Sequence, residues 1–202
     1  MSRIIGCQQL HLAKVLTDTL EGATFGVPEI VPSVISVEIA DNSENVTFYS
    51  DDVVEQVIPA FSGKEVTIEL GYLDHKTESK ISGNKFENGA FVQNANATAK
   101  EYALLFRAPL SRGGFQYVCL YKGVLSRTES TYKTKEDSIE GQTVTLSGVF
   151  MPLVYNGNVA IKANSTDEGA ETLTSKWFTK VPMLGQESEE EPGVGASLKA
   201  RK

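Results

Sequence analysis

GFQYVCLYKGVLSRTESTYKTKEDSIEGQTVTLSGVF, residues 114–150, holds two β-strand patterns and no set of residues that performs chemistry. The first pattern, 115–125, is dense in aromatic and β-branched side chains, which suit a pleated surface. Phe115, Tyr117 and Tyr121 fall on one side at period two, and Val118, Leu120 and Val124 fall on the other. Both sides call for burial, so this strand is either central in a sandwich or covered by a second chain. The second pattern, 143–150, sets Val144, Leu146 and Phe150 against Thr143, Thr145 and Ser147, giving one buried face and one polar face. Between them, 127–141 mixes charges of both signs and carries Gly141 as a turn residue, which reads as a solvated connection.

Outward from this pair, short apolar alternations bounded by Gly, Pro, Asn and Ser recur, and helix-period patterning is scarce, so a mostly β domain is expected. Residues 10–16 fit a first strand after an N-terminal arm (1–12), and EGATFGVP reads as turns around Gly22, Gly26 and Pro28. Ile35, Val37 and Ile39 alternate with Ser36 and Glu38; Val66, Ile68 and Leu70 alternate with Glu65, Thr67 and Glu69. The two read as partner strands across a long loop or hairpin, 40–64, whose Phe48, Tyr49, Val54 and Ile58 are too apolar to stand free in water. That segment either folds back as extra strands on its own domain or reaches a neighbouring subunit. Residues 72–81 form the helix candidate, with Asp74 as N-cap and Leu73, Thr77 and Ile81 at four-residue spacing. Residues 83–96 read as turns, 102–107 as a strand, and 158–163 and 176–181 as two late strands joined by a small-residue linker, 164–171. In the last strand Trp177 and Phe178 take opposite sides, one for the core and one as an interface anchor, unless both are core. A β domain over 1–184 is followed by an acidic, apolar-poor tail, 185–202, expected to be flexible.

With 202 residues the chain can bury a sizeable core without crosslinks or metals. Its two cysteines, Cys7 and Cys119, make no disulfide framework and have no zinc spacing; Cys119 reads as a buried thiol. No leader or membrane-spanning run is present, so a soluble protein of the reducing cytoplasm is expected, and the triplets at Asn45, Asn96 and Asn164 read as chance. Net charge is −7, which disfavours an ordinary basic nucleic-acid surface. The excess is local: residues 35–70 hold eight acids and one base, Lys64.

Chemistry is expected to be absent: no enzyme activity, no cofactor and no metal. His11 and His75 read as surface residues without partner ligands, and Asp51, Asp52 and Glu55 lack the glycine of a calcium loop and read as turn acids. No phosphate-cradling loop, nucleophile elbow or catalytic carboxylate pair is found.

In order along the chain, GCQQLHLAKVLTDTLEGATFGVPEI (6–30), FYSDD (48–52), EVTIELGYL (65–73), EYALLFRAPLSRGGFQYVCLYKGVL (101–125), TYKTKEDS (131–138), TVTLSGVF (143–150) and KWFTKV near the end resemble the major tail proteins of long, non-contractile-tailed bacteriophages, the phi13-type tail tube family. The set spans nearly all but the final tail. Departures are the polar DHKTESK where the family has a Leu-rich helix, and the acidic segment after Pro182.

The resemblance implies a β-sandwich or barrel-like tail-tube subunit with one short flanking helix. It further implies homohexameric rings stacked into the tail tube of a siphovirus virion, assembled in the bacterial host cytoplasm. Implied partners are the protein itself, a tape measure protein, a tail terminator and distal tail or baseplate proteins; DNA passes through without specific binding, and no membrane is involved. With four lumen strands from each subunit, about 24 strands at ~4.8 Å spacing and ~40° tilt give a backbone diameter of roughly 48 Å, room for duplex DNA. On this reading Glu38, Glu65 and Glu69 are expected to face the lumen, where acids repel phosphate. Phe48, Tyr49, Val54 and Ile58 are expected to contact other subunits. The alternative from another class is a ligand-binding β-sandwich, carbohydrate-binding or adhesin-like, which would stay monomeric.

Overall fold

Strand-forming sequence dominates, and the computed structural model, which describes residues 2–129 and 143–184, is mainly β, as the alternations predict. The first strands are β1 (Gln8–Thr19), β2 (Gly22–Phe25), β3 (Glu29–Ile30), β4 (Val34–Ser50) and β5 (Val53–Leu70). Helix α1 (His75–Ser82) leads to β6 (Lys85–Glu87), β7 (Ala90–Val92), β8 (Glu101–Pro109) and β9 (Phe115–Glu129). β10 (Val144–Met151), β11 (Ala160–Asn164) and α2 (Glu171–Ser175) complete the described elements. One antiparallel sheet runs β2-β1-β8-β9-β10-β5-β4, with β3 added to β1 and β11 to β9; β6 and β7 form a separate hairpin.

The central pair β8 and β9 is buried on both faces by the chain's own elements, which resolves the choice left by the two apolar sides of β9. On one face Leu104, Phe106, Val118 and Leu120 pack with Leu10, Ile68 and Phe150 under Leu73 and Ile81 of the α1 region. On the other, Ala103, Leu105, Cys119 and Tyr121 pack under Leu153, Trp177 and Val181. Two cores on opposite sides of one sheet give the sandwich-like layering. Val124 departs from the expected side: Tyr102 faces Gly123 while Leu104 faces Leu120, so the register slips by one. A bulge of this kind turns the following side chains over, and Leu125 takes the core position in place of Val124. β9 also runs on through Arg127 to Glu129, so the expected solvated connection starts later; 130–142 lies outside the described residues.

Other expectations are corrected by local chemistry. α1 starts after Asp74, whose Oδ2 accepts from the Thr77 N–H at 3.0 Å, as the capping pattern predicts, and ends on left-handed Gly83. The turn region 83–96 contains the β6–β7 hairpin, closed by Asn88 and Gly89 at positive φ, the pair that favours a tight hairpin turn. Residues 176–181 are not a strand: α2 precedes them, and the Trp177, Thr179 and Lys180 N–H groups bond back into local turns. A second, five-residue helix therefore joins the one expected. The turn brings Trp177 and Phe178 to the same core instead of opposite faces. Phe178 stacks on His11 with ring centroids 4.4 Å apart, so it is no free interface anchor and His11 is half-buried beneath it. The tail at 185–202 lies outside the described residues.

Candidate assembly surfaces

The segment 40–64 does not fold back on its own domain. β4 and β5 continue as one hairpin, paired from Val34 opposite Leu70 to Ser50 opposite Val53, and closed by Asp51 and Asp52, both in the left-handed region. β10 accompanies β5 only as far as Lys64, which faces Phe150. Beyond that point residues 43–62 pair only with each other, and eight residues on β4 against ten on the bulged β5, at ~3.3 Å each, carry the tip roughly 25–30 Å out from the sheet. The base is firmly built: Lys64 pairs with Asp41, its ammonium lies over the Phe61 ring, and the Ser62 hydroxyl donates to Asn42 O at 2.9 Å.

Phe48 is 49% exposed and Tyr49 69% exposed, with Val53, Val54, Val57, Ile58 and Phe61 likewise open. Pairing places Phe48 beside Gln56 on one face of the arm and Thr47 beside Val57 on the other, so apolar side chains project from both faces. All four residues expected to contact other subunits thus sit on this arm. β4 is also the terminal strand of the sheet, and its outer backbone edge is unpaired among the described residues.

The structure brings Glu38, Glu65 and Glu69 together. Ala40 faces Glu65, Glu38 faces Thr67 and Ser36 faces Glu69, so the three acids share one face of the ladder. Val37, Ile39, Val66 and Ile68 turn the other way into the core. Thr145 and Ser147 of β10 extend the acid face as a polar strip, opposite Glu69 and Thr67. Glu38 and Glu65 are exposed; Glu69 is half-buried and accepts from Ser36 Oγ at 3.4 Å.

Two buried carboxylates were not singled out by sequence. Asp18 sits in β1 with its side chain 4% exposed and accepts from Lys122 Nζ at 2.9 Å and from the Val154 and Tyr155 N–H groups at 3.0 and 3.2 Å. Burial alone would raise its pKa, but these hydrogen bonds and the Lys122 charge hold it below the usual value. Glu78 of α1 is buried against Arg127 at 3.2 Å, with His75 Nδ1 at 3.4 Å. Its position, three before buried Ile81, is the signal that it faces inward. Asp18 thus ties β1 to β9 and to the 154–155 segment, and Glu78 ties α1 to β9.

Burial pushes the Cys7 thiol up to about 11 and Cys119 higher still, away from a reactive thiolate. Among the described residues, no group of three or more His, Cys, Asp or Glu is arranged to hold a metal ion, and no helix is long and apolar enough to cross a membrane. An apolar groove of about 340 Å3 lies between β1, the 26–31 segment and α1, with Lys14, Lys80 and Lys100 among its lining. Compared with known proteins, the chain matches no family model and no curated sequence.

Proposed function

We propose that this protein is a self-assembling wall subunit, the tail tube protein of a long, non-contractile phage tail. Copies close into homohexameric rings, the rings stack, and the tube conducts DNA during ejection. The observation that carries the reading is the β4–β5 arm: a projecting hairpin with apolar side chains on both faces needs other protein to cover it. An open edge on β4 invites cross-subunit pairing, which would remove a liability of the isolated sheet. The ordered segments that resemble phage tail tube proteins supply the particular assembly. Hexamer number, the tape measure, terminator and baseplate partners, and location in the virion come from that resemblance alone.

The acid face gives the channel its mechanism. A conduit for DNA must avoid basic contacts, since each phosphate neutralised adds binding and slows passage. Glu38, Glu65 and Glu69, carried on one face beside Thr67, Thr145 and Ser147, would present phosphate with negative charge and neutral hydroxyls.

Phe48→Ser/Tyr49→Ser is the test of assembly. The variant is expected to stay folded and monomeric at concentrations where the wild type forms rings or tubes in negative-stain micrographs. Tubes of normal length from the variant would refute the role of the arm, and a wild type that stays monomeric at high concentration would favour the ligand-binding alternative. Channel function is read separately: Glu38→Lys/Glu69→Lys in otherwise intact virions is expected to slow DNA ejection, and unchanged ejection kinetics would remove these acids from the lumen.

A further inference from the structure

We infer that the tip of the β4–β5 arm of one copy seats in the lysine-rimmed groove between β1 and α1 of another copy. This rests on the assembly reading above and supplies the receiving surface that reading lacks.

The two surfaces match in polarity. Leu16, Val27 and Ile30 form an open apolar lip on the groove, with Val27 76% exposed, and Tyr49, Val53 and Val54 form an open apolar patch at the tip. They also match in charge. The groove brings Lys14, Lys80 and Lys100 together against a single acid, Glu29, which pairs with Lys80; Lys14 and Lys100 make no ion pair among the described residues. The tip carries Asp51, Asp52 and Glu55 and no base. In a chain whose net charge is −7, a locally positive apolar groove and an acidic apolar tip are complementary surfaces.

Both surfaces are preformed, which limits the ordering cost of docking. The groove wall is tied down by Gly26 N–H to Lys14 O and Val31 N–H to Leu10 O, each 2.8 Å, and by the Tyr102 hydroxyl donating to Lys80 O at 3.0 Å. At the tip a tight turn fixes the two aspartates. Within one copy the groove lies beside the start of β4, since the 26–31 segment leads into that strand and β1 contacts it, while the tip stands at the far end of an arm that pairs only with itself, so the occupant is a second copy. Tip and groove are different surfaces of the same chain. The contact is therefore head-to-tail, and it propagates into a ring or a stack.

The experiment places the photo-crosslinking residue p-benzoylphenylalanine at Val54 and irradiates assembled protein mixed from light and isotopically heavy copies. The expected product is an intermolecular crosslink to residues 26–31 or 77–81. Asp51→Lys/Asp52→Lys and Lys14→Glu/Lys100→Glu are each expected to raise the concentration needed for assembly at least about tenfold. An equimolar mixture of the two variants should recover assembly, because the intact tip meets the intact groove and the reversed tip meets the reversed groove. Crosslinks confined to another surface, or a groove variant that assembles like the wild type, would overturn the docking while leaving the tube reading in place. A wild type that is monomeric at every concentration would overturn both.

Discussion

Gly123 shows how single atoms hold this sheet. It faces the first core where the ring of fully buried Phe150 crosses β9, and a Cβ added there would stand 2.5 Å from the ring. Gly123→Ala is therefore expected to cost about 1–3 kcal/mol through overpacking, read as a lower urea midpoint at unchanged slope. An unchanged midpoint would mean that the ring yields freely. Asp18 makes a complementary case, in which a buried charge is kept by its partners. Its folded pKa lies below the ordinary value, so its contribution to stability is present above the unfolded value of roughly 3.9 and is lost as pH falls through the folded one. Lys122 has the opposite sign: Asp18 first among its causes raises its pKa, and its contribution is lost only as pH rises past the ordinary lysine range. Asp18→Asn should lower stability by about 2–4 kcal/mol near neutral pH, the cost of weakening a buried pair, with the gap to wild type closing in acid. A gap that stays constant from about pH 7 down to about pH 2 would show that the carboxylate charge contributes nothing.

Strands announced themselves where one residue type alternated with another, and were hidden where tertiary contacts chose the conformation. The alternations of Ile35, Val37 and Ile39 and of Val66, Ile68 and Leu70 predicted the β4–β5 ladder, and Asp74 predicted the start of α1. By contrast, KWFTKV reads as a strand from its aromatic pair, yet Trp177 and Phe178 are both drawn into the second core, which only a turn permits. Nor could alternation foresee the slip opposite Ala103 that exchanges Val124 for Leu125, because a bulge leaves no mark in residue type here. The acids Glu38, Glu65 and Glu69 were legible as a shared face from period two alone; the groove was not, since its lysines come from β1, α1 and the loop before β8. The arm is the element whose form departs most from a compact domain. A two-stranded hairpin is marginal in isolation, so the arm adds little to the stability of the body. Joining Asn42 to Gly63 through Asn-Gly should shift the unfolding free energy by no more than about 0.5 kcal/mol, while abolishing ring and tube formation. A large loss of stability would mean that the arm belongs to the fold and not to assembly.

At the scale of the whole molecule, the two cores are expected to unfold as one cooperative unit. They lie on opposite faces of β8 and β9, so unfolding of these two strands uncovers both at once. Trp177, the only tryptophan, lies wholly within the second core. Its Nε1 has no hydrogen-bond partner among the described residues, so packing holds it in place. Its fluorescence therefore reports the second core, while far-UV circular dichroism reports the sheet as a whole. If the shared strands couple the halves, the two signals must change at the same urea concentration with the same slope, the behaviour of a single transition. Trp177→Ala should then move the entire circular-dichroism curve by about 3–5 kcal/mol, even though half of the sheet never touches the indole. A fluorescence change preceding the loss of sheet signal would instead divide the molecule into a body and a detachable C-terminal layer. In that event a stacked wall would have to rely on the first core and the β4–β5 ladder for rigidity. Coincident curves would mean that each copy brings one indivisible sheet to the assembly, with the arm as its only independent part.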